Sequence, residues 1–191
     1  IYKWAGVGNF DGFTKAGFKG YFDGDYTKDN QLIITGLCDK GIFNDIIGGK
    51  DTLSGNETTI TNVKIGKMAL VSSGALATKV TGKVNVTNCN FATAEINGDN
   101  TALMFGDITK NDNGSADVTI SGITTAETNI ATSVTATATL RLNNGKFGYV
   151  ASSINAGTVT INDSDINIIA TPTGGNATFG GLVGGATNGT I

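Results

Sequence analysis

Apolar and polar residues alternate along most of this chain in short bursts. The clearest is Val84-Asn85-Val86-Thr87-Asn88-Cys89-Asn90-Phe91. In a strand, Val84 and Val86 fall on one face and Asn85 and Thr87 on the other. Asn88 then makes a corner, and Cys89 and Phe91 resume the apolar side after a slip of one residue. Related bursts cover residues 32–37, 58–65, 118–123, 140–147 and 159–166. Setting the second apolar position of each burst in one column aligns Ile34, Ile60, Val86, Ile120, Leu142 and Ile161. The steps between them are 26, 26, 34, 22 and 19 residues.

Most units carry a second, Gly-flanked burst rich in Leu and Val. Examples are Gly41-Ile42-Phe43, Met68-Ala69-Leu70-Val71, Ala102-Leu103-Met104-Phe105-Gly106, Phe147-Gly148-Tyr149-Val150 and Phe179-Gly180-Gly181-Leu182-Val183-Gly184. No amphipathic helical stripe emerges. Residues 124–138 come nearest, but Thr135-Ala136-Thr137-Ala138-Thr139 alternates at period two and predicts strand or extended coil.

An irregular repeat of about 20 to 35 residues, each unit holding two short strands, is the sequence pattern of stacked coils. One coil cannot bury its own inward side chains, whereas neighbouring coils bury them against like residues above and below. The chain is therefore expected to be all-β, a single-domain β-solenoid (β-helix) of about six to seven irregular coils. A two-sheet β-sandwich is the alternative. Residues 1–30 differ from the rest, with Tyr2, Trp4, Tyr21, Phe10, Phe13, Phe18 and Phe22 set among glycines. They are expected to form an aromatic first coil or a cap over it. Residues 31–191 then form one continuous run of coils.

Composition agrees with this picture. The chain has 28 Gly, 28 Thr and 20 Asn, one Pro and no His, and 15% charged residues. Small β-formers with Gly and Asn corners suit many short strands. The net charge of −3 offers no basic face for nucleic acid, and no run of 18 apolar residues is present to span a bilayer. The chain opens on Ile1 with no signal-peptide pattern, as expected of a processed form or of a segment of a longer protein. Its last unit stops at Thr190-Ile191 without a polar cap, so either the chain continues or another copy supplies the missing neighbour.

Candidate chemistry is sparse. Without His there is no Ser-His or Cys-His pair and no imidazole metal site. Cys89 takes an inward slot shared with Leu37, Val63 and Ile123, while Cys38 follows that slot by one. Their Cβ vectors should diverge, which argues against a disulfide. Glu57, Glu95 and Glu127 are scattered, Asp163 and Asp165 sit beside a corner, and Arg141 is the single Arg. Asp23, Asp25 and Asp29 with Asn30 form an acidic loop of oxygen ligands, although the spacing completes no known calcium loop. Outward polar pairs are expected at Thr59/Thr61, Asn85/Thr87, Thr119/Ser121, Arg141/Asn143 and Thr158/Thr160. Asn-x-Ser/Thr sequons occur at Asn56, Asn85, Asn113, Asn162, Asn176 and Asn188. No catalytic, cofactor or metal site is assigned from these patterns.

The ending Gly180-Gly181-Leu182-Val183-Gly184-Gly185-Ala186-Thr187-Asn188-Gly189-Thr190-Ile191 resembles the GLUG motif. Met68–Gly74 leading to Val84–Cys89 looks like a degenerate copy. Gly20-Tyr21-Phe22-Asp23-Gly24, leading to Ile33–Leu37, is similar to the opening unit that precedes such repeats. The resemblance spans about half the chain. It implies a β-helical segment of a large secreted or cell-surface microbial protein, adhesive or structural. The function expected is therefore a non-enzymatic extracellular structural protein, a subunit of a surface fibre or filament built by head-to-tail stacking of solenoid ends. The alternative is an adhesin module that binds glycan or a host protein through a side face. A polysaccharide-active enzyme and an ice-binding protein are further alternatives.

Overall fold

The computed structural model describes residues 17–24, 33–37, 40–50, 55, 57–110 and 114–191. Within them the chain is all-β, with no helix. It runs through three main sheets, A, B and C, in the same order, pass after pass, and a short fourth sheet pairs Gly145–Phe147 with Ala177–Phe179. The first pass is β1 (Tyr21–Asp23), β2 (Ile33–Leu37) and β3 (Phe43–Ile47). The second is β4 (Thr58–Thr61), β5 (Lys64–Val71) and β6 (Ala77–Thr81). The third is β7 (Lys83–Thr87), β8 (Glu95–Asp99) and β9 (Phe105–Ile108). The fourth is longer: β10 (Ala116–Ser121), β11 (Ala126–Asn129), β12 (Val134–Leu142), β13 (Gly145–Phe147) and β14 (Ala151–Ile154). The fifth holds β15 (Gly157–Asn162), β16 (Ile168–Pro172) and β17 (Ala177–Phe179), and β18 (Gly189–Thr190) follows it.

Sheet A has the order β1-β4-β7-β10-β15-β18. Sheet B runs β2-β5-β8-β12-β16, and sheet C runs β3-β6-β9-β14. Bridges at Val183 and Ala186 carry the fifth pass onto β14. Pairing in all three sheets is parallel; among the described residues the antiparallel contacts are the β11–β12 hairpin and the Lys50–Glu57 bridge. Stacked sheets of a β-sandwich are typically antiparallel and Greek-key connected, whereas here each strand pairs with its counterpart one pass away.

The sequence column resolves into two sheets. Phe22, Ile60, Val86, Ile120 and Ile161 stand in register along sheet A. Ile34 and Leu142 instead belong to sheet B, opposite Ile65 and Gly98. Met68–Val71 also lies in sheet B, and the segment that stacks with the other Gly-flanked bursts is Gly74-Ala75-Leu76-Ala77. Among the described residues the units therefore have three strands rather than two, over five passes and the start of a sixth. Period-two alternation reports which side chains face inward, but not which of three sheets a strand enters.

The core lies between the sheets. Ile60, Val86 and Ile120 of sheet A are fully buried, as are Ile65 and Ile96 of sheet B and Phe105 and Ile154 of sheet C. Burying each such side chain contributes on the order of 1.5–3 kcal/mol. Corners carry the chain out of sheet A. Asn62 (φ 54°), Asn88 (φ 52°), Gly122 (φ 62°) and Asp163 (φ 43°) each follow a sheet A strand in the left-handed region, where Gly, Asn and Asp are tolerated best. At the corner before sheet C, a Cβ on Gly74 would collide with the Met104 carbonyl of the next pass.

Of the aromatic stretch, residues 17–24 are described. Phe18 stacks on Phe43 at 4.2 Å between ring centres, and Phe22 meets Phe43 edge-on at 5.3 Å. Phe22 thus occupies the inward column of the first pass.

Candidate functional site

The acids singled out in the sequence lie apart, and each Glu has a basic neighbour. Glu57 Oε1 is 3.5 Å from Lys83 Nζ. Glu95 takes Arg141 Nε at 2.6 Å and Lys67 Nζ at 3.1 Å on the outer face of sheet B. These two hydrogen bonds hold the Glu95 carboxyl below its ordinary range. Glu127 Oε2 is 3.6 Å from Lys64 Nζ. Asp163 and Asp165 are exposed at the corner after β15, where Asp165 bonds through its backbone to Ile123 and Thr125.

Asp23 accepts from Asn62 Nδ2 at 2.9 Å and from the Tyr21 hydroxyl at 3.3 Å. Asp25, Asp29 and Asn30 lie outside the described residues. Among the described residues no group of three His, Cys, Asp or Glu side chains converges on a metal position. No helix among them is long and apolar enough to cross a membrane.

Cys89 shares its inward position with Val63 and Ile123, as its spacing predicts, but not with Leu37, which pairs in sheet B. Cys89 is a free thiol that donates to the Thr87 carbonyl at 3.4 Å. Burial raises it to a pKa of about 11, so it is neither an anion nor a nucleophile at neutral pH. Cys38 lies outside the described residues. The Tyr149 hydroxyl is buried without a hydrogen-bond partner, and its burial pushes the phenol up.

The outward rows of sheet A differ in part from their expected membership. One row is Thr59, Asn85, Thr119 and Thr160; the next is Thr61, Thr87, Ser121 and Asn162. Thr158 aligns with Asp117 and Lys83, and Arg141 aligns with Asn97 in sheet B. In the second row Thr87 Oγ1 donates to Oγ1 of Thr61, which is buried, at 2.9 Å.

Two surfaces stand out from the regular sheets. The first is a cleft of about 370 Å³ beside the β11–β12 hairpin, lined by Lys64, Thr93, Glu127, Asn129, Thr132 and Val134. The hairpin is an insertion into the fourth pass. Residues 134–137 of β12 pair with β11, and residues 138–142 pair with β8 and β16. Periodicity marked this strand but gave no sign of the hairpin, whose turn is Ile130-Ala131-Thr132-Ser133 without glycine.

The second surface is the far end of the stack. β16, β17 and β18 are each the last strand of their sheets, with no described strand beyond them. Inward residues that are sealed in earlier passes meet solvent here. Phe179 pairs with the fully buried Phe147 and is itself 37% exposed. Ile161 and Ile168 are half-buried, although their partners Ile120 and Ala138 are fully buried. Pro172 closes β16. Thr173 N bonds back to Leu142 O, so strand alternation puts the donor missing at Pro172 on the open side.

Comparison with protein-family models, with curated proteins and with solved structures gives no match.

Proposed function

We propose that this chain is a β-solenoid of GLUG-like repeats and a non-enzymatic structural subunit of an extracellular or cell-surface fibre, assembled end to end. The observation that carries this reading is the parallel, in-register stacking of like residues from pass to pass, with the outer edges of β16 and β17 unpaired among the described residues. The inward column of sheet A is sealed at Ile60, Val86 and Ile120 and only half-buried at its two ends, Phe22 and Ile161, while Ile168 and Phe179 on neighbouring strands also meet solvent. Parallel strand edges with an apolar interior between them are a template for another strand layer. A second copy seated there would continue the column, and a head-to-tail contact that does not close makes a filament. Pro172 restricts the seat, since a neighbour can pair with β16 only on the N-terminal side of it.

Sedimentation velocity over a range of concentrations, with negative-stain images of the same samples, tests the proposal. Rods that lengthen with concentration are expected for the unmodified chain, and single short particles for Phe179→Lys. Uniform monomers of the unmodified chain at every concentration would overturn it.

The cleft beside the hairpin favours a second reading, an adhesin that takes a glycan on its side. Its size falls in the range of small-ligand sites, and its lining mixes hydroxyl, amide and charged groups with the Val134 side chain. A glycan array probed with and without calcium tests this reading. Binding that Thr132→Trp removes supports the side-face site, and no binding to any glycan counts against it.

A further inference from the structure

At the corner between sheets A and B, three reactive groups from three successive passes meet. Lys64 and Asn90 are paired across neighbouring passes, and Asn90 is paired in turn with Thr124. The backbone there is tightly held. Ile65 N bonds to Asn90 O at 2.9 Å, Asn90 N to Val63 O at 2.8 Å, and Phe91 N to Thr124 O at 2.7 Å. Glu127, three residues beyond Thr124, brings one carboxylate oxygen to both side chains. Oε2 lies 3.6 Å from Lys64 Nζ and accepts from Asn90 Nδ2 at 3.3 Å. The other end of the Asn90 amide is also held, because Ala92 N–H donates to Oδ1 at 2.9 Å. Asn90 is 5% exposed and the Lys64 side chain 13%, while that of Glu127 is 47% exposed at the mouth of the cleft.

An ion pair needs only Lys64 and Glu127. The carboxamide beside them, with its carbonyl bound by a backbone N–H and its amino group on the carboxylate, adds an electrophile in a fixed pose. We propose that Lys64 and Asn90 become joined by an intramolecular isopeptide bond, with Glu127 carrying the protons. The Glu127 carboxylate takes a proton from the Lys64 ammonium. The neutral Nζ adds to Asn90 Cγ, and the carbonyl electrons move to Oδ1, where the Ala92 N–H stabilises the oxyanion. Glu127 returns its proton to Nδ2, the Cγ–Nδ2 bond breaks, and ammonia leaves through the cleft. The new amide nitrogen sheds its extra proton to Glu127, which passes it to the departing ammonia. One ammonium and one carboxamide become one secondary amide and one ammonium ion, with no oxidant or cofactor. An amide is a poor electrophile in water, and holding the amine against it supplies much of what the uncatalysed reaction lacks.

The bond would join the second pass to the third on the side that carries the hairpin. It does not depend on end-to-end association, so the two proposals can fail separately. The test is the intact mass of the purified full chain, with fragment mapping after digestion. The expected mass is one ammonia below that of the sequence, with a branched peptide joining Lys64 to Asn90 and no tryptic cleavage after Lys64. Lys64→Arg and Glu127→Gln should each restore the full mass while keeping the far-ultraviolet spectrum of the parent. Full mass in the unmodified, folded chain overturns the proposal. So does an ammonia loss that survives Lys64→Arg, which would come from ring closure at an Asn-Gly step such as Asn144-Gly145.

Discussion

At the scale of single residues, the corners discriminate most sharply. Asn88 leaves β7 at φ 52° with its side chain against the Gly122 corner of the next pass. A β-branched side chain is strained in that conformation, and Gly is not. Asn88→Val is expected to lower stability by about 1–3 kcal/mol and Asn88→Gly by less than about 1 kcal/mol, read from urea midpoints. Equal losses would show that the corner does not need its left-handed backbone. Glu95 makes a different test. Hydrogen bonds from Lys67 and Arg141 lower the pKa of its carboxyl in the folded chain. Such a group contributes stability above its unfolded pKa and loses that contribution as pH falls through the folded value. Glu95→Gln should therefore be less stable than the parent at pH 7, and the gap should narrow as pH falls below about 4. A gap that widens on acidification would contradict the assigned pairing.

At the scale of elements, the β11–β12 hairpin and the sheet A column behave as opposites. The hairpin tip, residues 129–134, is exposed throughout, with Ile130 95% exposed. Replacing residues 129–134 by Asn-Gly is expected to change stability by no more than about 0.5 kcal/mol, because nothing buried is removed. A large loss, measured by thermal or urea unfolding, would mean that the hairpin braces the sheets. The contrast also shows what the sequence could disclose. The inward identities of Ile60, Val86, Ile120 and Cys89 follow from alternation plus an Asn or Gly corner, and so does the parallel stacking of like residues. Membership of Ile34 and Leu142 in sheet B does not follow, because strands of all three sheets share one apolar-polar period. The Lys64–Asn90–Glu127 corner was equally hidden. Its members are 26 and 37 residues apart, and only the pass lengths bring them together. Glu127 was visible as an acid, whereas nothing in the sequence pattern singled out Lys64 or Asn90.

At the scale of the whole molecule, stability should fall from the middle of the stack toward the open end. In an array where each pass contacts only its neighbours, an inner pass has two interfaces and the last has one. Ile120 is sealed between Val86 and Ile161, while Ile161 has Ile120 on one side and solvent reaching it on the other. Ile120→Ala is therefore expected to cost about 2–5 kcal/mol, and Ile161→Ala distinctly less. Amide exchange should give the same ranking without mutation, with β7 and β10 exchanging only through global unfolding and β16 and β17 through local fraying. If end-to-end assembly is correct, this gradient depends on concentration. Under assembling conditions the β16 and β17 amides should gain protection while those of β7 stay unchanged, because a second copy supplies the missing interface. Protection that rises equally in all passes would place the contact on a side face, and the glycan-binding side reading would then have to account for the association.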